Sequence, residues 1–112
     1  MKIYHNNRCR KSREGLSILE NSNQQFEVVN YMEIPPTKKE LKEILSMLGY
    51  TPIQLVRKNE SIWKENYKNK ELSEDEIINA MIAHPKLIER PIVVNGSKAV
   101  IGRPPENIKC LF

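Results

Sequence analysis

The sequence predicts an α/β fold built on a mixed four-stranded sheet, and three observations lead there. A short β-prone run, Lys2–His5, is followed by an amphipathic segment and then by a second apolar run at residues 26–31. Strand, helix, strand in that order predicts a right-handed parallel crossover. Near the other end, Pro91-Ile92-Val93-Val94 and Lys98-Ala99-Val100-Ile101 flank Asn95-Gly96, the strongest short hairpin signal. Between these two β regions the apolar residues recur with helical spacing.

Taken in order, Lys2–His5 is the first strand and Asn6-Asn7 its turn. Arg10–Glu20 reads as a helix with Leu16 and Leu19 on its inner face and Ile18 beside them. A polar loop at 21–25 leads into the second strand, which Pro35-Pro36 terminates. Thr37-Lys38-Lys39-Glu40 is a capping box, a threonine with a glutamate three positions on. Behind it Leu41, Ile44, Leu45 and Leu48 fall at i, i+3, i+4 and i+7, and Gly49 stops the helix. Thr51-Pro52 opens a shorter helical piece running to Val56, and residues 61–67 form another. Ser73-Glu74-Asp75-Glu76 is a second capping box. It launches a helix with Ile77, Ile78, Met81 and Ile82 inward, ended by His84-Pro85. The hairpin follows, and Gly102-Arg103-Pro104-Pro105 leads into a short terminal helix. The whole is a thioredoxin-like arrangement with a helical insertion between the second and third strands.

With 112 residues the chain is one domain's worth, 1–112. Its 39% hydrophobic and 29% charged residues exclude a disordered chain. No apolar run approaches the roughly 20 residues of a membrane helix, and the N-terminus lacks the apolar stretch of a secretory signal. A cytoplasmic, monomeric protein with no membrane contact is expected. Two cysteines 101 positions apart fit a reducing compartment better than a disulfide scaffold. No Cys/His cluster has metal-ligand spacing, so neither a metal nor a bound cofactor is expected. The net charge of +4 points to an anionic partner. Arg8, Arg10, Lys11 and Arg13 place four cations within six positions around Cys9. Direct nucleic-acid binding is not expected, because no helix-turn-helix or RNA-binding aromatic pattern accompanies them.

Cys9 is the residue to which the chemistry points. It lies where a strand ends and a helix begins, facing free backbone N–H groups and the positive end of the helix dipole. A free thiol titrates at about 8.5, and helix N-termini with nearby cations lower that markedly. The alternative for Cys9 is an inert buried cysteine. Ser12, three residues on, can reach back with its hydroxyl and hydrogen-bond the thiolate, the alternative being a plain serine of the helix's first turn. Cys-x-x-Ser leaves no resolving thiol nearby, so an outside thiol must release anything bonded to Cys9. Cys110, among apolar neighbours near the C-terminus, reads as packing or incidental. Arg57, Arg90 and Arg103 lie in loops or at element ends, where sites are built. Each offers planar paired donors suited to a tetrahedral oxyanion, although singly each could be a surface ion-pair residue. His5 could equally be a satisfied histidine at a strand end.

The segment Ile3-Tyr4-His5-Asn6, Cys9 and Ser12-Arg13 resembles the active-site start of the glutaredoxin-coupled arsenate reductase family. So do Ile34-Pro35-Pro36, Leu55-Val56-Arg57-Lys58-Asn59, His84-Pro85, Leu87-Ile88, Arg90-Pro91-Ile92-Val93-Val94 and Gly102-Arg103-Pro104, in order along nearly the whole chain. The resemblance implies a thioredoxin-like fold in which Cys9 attacks arsenate to form a thiol–arsenic adduct. Glutathione would then add as co-substrate, and the partner glutaredoxin would complete reduction to arsenite. It further implies that Arg57, Arg90 and Arg103 bind the oxyanion, that His5 tunes Cys9, that Ser12 supports the thiolate, and that Pro91 follows a cis peptide bond.

Two other functions compete. One is a non-enzymatic regulator docking on RNA polymerase or another protein, as a branch of this family does with Cys-x-x-Cys. The absence of a cysteine at position 12 argues against its redox switch. The other is a monothiol oxidoreductase acting on glutathione mixed disulfides. Three arginines argue against it, since a disulfide needs no anion cradle.

Overall fold

The computed structural model describes residues 1–112, and its first element is the predicted strand β1, Lys2–His5. Helix α1, Arg10–Glu20, begins at Cys9, whose extended backbone makes it the N-cap. β2, Glu27–Asn30, follows. The hairpin strands are β3, Ile92–Asn95, and β4, Lys98–Ile101. The sheet runs β2-β1-β3-β4, with β1 and β2 parallel and the other two pairs antiparallel. The expected mixed four-stranded sheet is therefore present, with the helical insertion between its second and third strands in sequence.

The chain divides into two compact units, residues 1–34 with 90–112, and residues 35–89. In the sheet unit, Ile3 pairs with Val93, and both turn to a core shared with Leu19 of α1 and with Ile108 and Leu111. Ile108 and Leu111 belong to the terminal 3-10 helix, Pro105–Leu111, which packs on α1 and β4. Alternation then sends Tyr4 and its cross-strand partner Ile92 to the opposite face, where both are also buried.

In the hairpin, Asn95 pairs with Lys98, so Gly96-Ser97 forms the two-residue loop. Gly96 has φ +62 and Ser97 is not among the left-handed residues. This is the pattern of a turn with glycine first, rather than the Asn-Gly turn the sequence suggests. Asn95 instead closes the strand and donates its Nδ2 hydrogen to the Leu111 carbonyl at 2.8 Å.

The helical unit contains α2, Lys38–Leu48, α3, Ser61–Asn66, and α4, Glu74–Ala83. Both predicted capping boxes close, at Thr37 with Glu40 and at Ser73 with Glu76. Gly49 ends α2 in the left-handed conformation at φ 69. α4 packs against α2 and against two 3-10 turns, Pro52–Leu55 and Pro85–Leu87. On α4 the fully inward residues are Ile77, Ile78, Ala80 and Met81, whereas Ile82 is only half-buried. Helix spacing alone had favoured the larger isoleucine over alanine.

Two glycines fix how Pro91 sits beneath α1. A Cβ on Gly15 would lie 2.9 Å from both Pro91 Cγ and Ile108 Cδ1. One on Gly102 would lie 2.8 Å from Pro91 Cγ and 3.0 Å from Ile108 Cδ1. Pro91 is a rigid ring and Ile108 is fully buried, so a methyl group here overpacks the core. Gly102→Ala is expected to lower unfolding stability by about 1–3 kcal/mol, read as a lower urea midpoint. An unchanged midpoint would mean that the Pro91 ring yields freely.

Candidate active site

The loop after β1 is shaped by its own polar groups. The Cys9 amide donates to the Asn6 carbonyl at 3.0 Å, and the Arg8 amide donates to Asn6 Oδ1 at 3.0 Å. Ser12 is fully buried in the first turn of α1. Its hydroxyl accepts the Asn6 amide at 3.0 Å and shares a hydrogen bond with His5 Nδ1 at 2.7 Å. The other ring nitrogen of His5 meets Asn7 Oδ1 at 3.2 Å. The Ser12 hydroxyl is thus committed to His5 and to the loop backbone, rather than to the thiolate as the sequence reading expected. What Ser12 offers the sulfur is its backbone N–H. His5, 5% exposed, braces the loop through Ser12.

Cys9 is partly exposed, and its thiol titrates below the ordinary value. Burial alone pushes it up, but four contributions outweigh that: the Ser12 amide, hydrogen bonding from Arg90, the Arg90 charge and the Lys11 amide. The two amides are free donors of the first helical turn, so the helix terminus contributes as position alone predicted. Arg103 completes the group, with Nη2 3.5 Å from Cys9 Sγ and Nε donating to the Arg90 carbonyl at 2.8 Å.

Three of the four cations next to Cys9 in sequence are turned elsewhere. Arg10 and Lys11 meet Glu14 at 3.2 and 3.5 Å, and Arg13 donates to the Asn7 carbonyl at 3.0 Å. The arginines that reach the sulfur come from positions 90 and 103. Both are held by short geometry. Arg90 precedes Pro91, whose ring is clamped by Gly15 and Gly102. Arg103 follows Gly102, whose amide donates to the Pro91 carbonyl at 2.8 Å. The Arg90–Pro91 bond is cis, as the resemblance implied, and so is Arg103–Pro104.

Arg57 belongs to the helical unit. It follows an isolated antiparallel bridge between Val56 and Ile88, and its amide donates to the Leu87 carbonyl at 2.7 Å. Its Nη1 is buried and has no hydrogen-bond partner in the chain. Cys110 is exposed, so packing does not account for it; its neighbours Ile108 and Leu111 supply the core contacts. No group of three or more His, Cys, Asp or Glu side chains is placed to hold a metal ion. No helix is long and apolar enough to cross a membrane.

One residue that sequence reasoning missed is Tyr31. It is fully buried just beyond β2, and its hydroxyl lies close enough to Arg90, Asn6 and Cys9 to interact with each. The signal was in the topology. His5 pairs with Asn30 across the parallel β1–β2 ladder, which puts the residues after both strands at the same end of the sheet.

The site chemistry can be set beside known proteins. The ArsC family model matches residues 4–111. The chain is 47% identical over 110 residues to YfgD, an uncharacterized protein of Escherichia coli strain K12, covering 96% of this chain and 92% of that one. It is 42% identical over 114 residues to the arsenate reductase of Neisseria meningitidis serogroup B, covering 100% of this chain and 97% of that one. Among solved structures, the arsenate reductase from Vibrio cholerae superposes with a TM-score of 0.93 at 43% identity, covering 100% of this chain and 98% of that chain.

Proposed function

The chain belongs to the ArsC family, and from that premise we propose that it is an arsenate reductase using Cys9 as its nucleophile. The observation that carries this reading is the convergence of Arg90 and Arg103 on a thiol at the start of α1. A disulfide-exchange enzyme needs the lowered thiol but has no use for two guanidinium groups beside it. A tetrahedral oxyanion uses both, because each arginine can present paired N–H donors to its oxygens. The relatives named arsenate reductase support the same substrate.

The proposed chemistry balances as follows. The Cys9 thiolate displaces one oxygen of arsenate, which leaves as water after protonation, and a sulfur–arsenic(V) bond forms. Glutathione replaces a second oxygen, again as water, giving an arsenic bonded to two sulfurs. A glutaredoxin thiolate then attacks the glutathione sulfur. The sulfur–arsenic bond breaks, its electron pair stays on arsenic, and arsenic(III) results with a glutaredoxin–glutathione disulfide. Water finally releases arsenite and restores the Cys9 thiol. Two thiols are oxidised to one disulfide for each two-electron reduction. The outside thiols are required because Ser12 stands where a resolving cysteine would be.

In this reading Cys9 attacks, Arg90 and Arg103 hold the anion, and His5 with Ser12 brace the loop that aims the sulfur. Arg57 is proposed as a third anion-binding arginine, supported by its family position and its unpartnered buried Nη1. The enzyme is proposed to act as a cytoplasmic monomer with no bound cofactor. The test is arsenite formation from arsenate with glutathione and glutaredoxin, with each thiol omitted in turn. Arsenite that depends on both supports the full sequence. Arsenite with glutathione alone removes glutaredoxin, and no arsenite in any mixture overturns the reductase.

A further inference from the structure

Tyr31 is the buried polar group that this mechanism leaves unused. The sheet sets its place. Asn6 and Tyr31 each stand one residue past the paired His5 and Asn30. β3 runs antiparallel to β1 with Ile92 opposite Tyr4, so Arg90 lies beyond that rung at the same end of the sheet. Cys9 opens α1 from this end too. The Tyr31 side chain is 0% exposed, and no well-formed hydrogen bond closes on its hydroxyl. Native proteins rarely bury a hydroxyl in that state without a reason.

Its surroundings are one-sided. Burial drives its pKa up to about 12, while the Arg90 charge and hydrogen bonding from Arg90 and Asn6 act against that rise. The hydroxyl therefore stays protonated and neutral, within the field of the Arg90 guanidinium. The Cys9 charge is felt at Tyr31, yet Tyr31 is not among the groups that lower the Cys9 thiol. Arg90 is the group that acts on both Tyr31 and the sulfur.

We propose that Tyr31 is a positioning residue, whose buried hydroxyl holds the Arg90 guanidinium in the orientation that faces Cys9. The inference rests on the reading of Cys9 as an activated nucleophile. It asks for a neutral oxygen behind the arginine: a carboxylate there would neutralise Arg90 and cancel its pull on the thiolate, and an apolar side chain would leave the guanidinium unanchored.

The experiment is the pH dependence of Cys9 alkylation by iodoacetamide, in a Cys110→Ser background. Wild type, Tyr31→Phe, Arg90→Ala and the double variant are compared. The groups that act on the sulfur are Arg90, Arg103 and the amides of Lys11 and Ser12, with His5 behind Ser12. Only the Arg90 contribution should change in Tyr31→Phe. The Phe variant keeps the ring, so the fold should be retained, which thermal unfolding checks. Its alkylation midpoint is expected to rise by about half a unit, which lowers the alkylation rate roughly threefold at pH values well below the midpoint. In the Arg90→Ala background the same substitution should add nothing, since residues acting as a unit are non-additive. An equal shift with and without Arg90 would overturn the inference, as would a Phe variant identical to wild type. A wild-type midpoint equal to that of a free thiol would instead sink the nucleophile reading beneath it.

Discussion

Cys9→Ser is expected to fold as the wild type does and to lose arsenite formation by roughly a thousandfold or more, as when a nucleophile is removed from an acyl-transfer enzyme. The loop and helix keep their backbone bonds in the variant, from the Cys9 amide to the Asn6 carbonyl and from the Arg13 amide to the Cys9 carbonyl. A serine hydroxyl at this place is not ionised at neutral pH, and the cationic field of Arg90 cannot bring it there. Arsenate binding should survive, because the arginine donors are intact. The measurement is the coupled assay alongside arsenate binding by calorimetry. Lost turnover with retained binding assigns Cys9 to the chemical step. Retained turnover would move the nucleophile to Cys110, the only other thiol, and would detach the chemistry from the arginines.

The fold was readable because most of its signals are local. Thr37 with Glu40 and Ser73 with Glu76 close their own helix ends, and α1 begins and ends at the residues its pattern marked. Ile3 and Val93, from the two β-prone runs that the sequence marked, meet in one core. The candidate site was readable only in part, because its field is assembled by residues distant in sequence. Four basic residues surround Cys9 in the chain, yet Arg10 and Lys11 pair with Glu14 within α1, and Arg13 closes on Asn7. Helical i, i+3 and i, i+4 geometry turns Arg10 and Lys11 onto an acid of their own helix. The spacing of Ser12 is compatible with two partners, and only the strand–loop geometry decides for His5 and Asn6 over the sulfur. Tyr31 carried no signal in composition, since a tyrosine ending an apolar run looks like core. The register of β1 on β2 is what makes it a neighbour of Arg90 and Cys9.

Arg90 is the residue on which that assembled field depends, so its loss should act on binding and on reactivity together. The guanidinium contributes both a hydrogen bond and a charge to the Cys9 thiolate. The shift is downward, so the folded thiol is ionised at a lower pH than a free one. Alkylation should therefore rise with pH about a midpoint below that of a free thiol. In Arg90→Ala the midpoint should move up, and the rate at neutral pH should fall. Losing an oxyanion donor in the same step is expected to bring kcat/KM for arsenate down by about 10²–10³-fold. Arg90→Lys separates the two effects. A lysine restores the positive charge, so much of the midpoint shift should return, but it cannot present two parallel N–H donors. The arsenate concentration for half-maximal protection of Cys9 should therefore remain high in the Lys variant. The Arg103 anchor survives both changes, since Arg103 Nε donates to the backbone carbonyl of residue 90 rather than to its side chain. If Lys restored protection in full, charge alone would account for anion capture, and the paired donor geometry would lose its role.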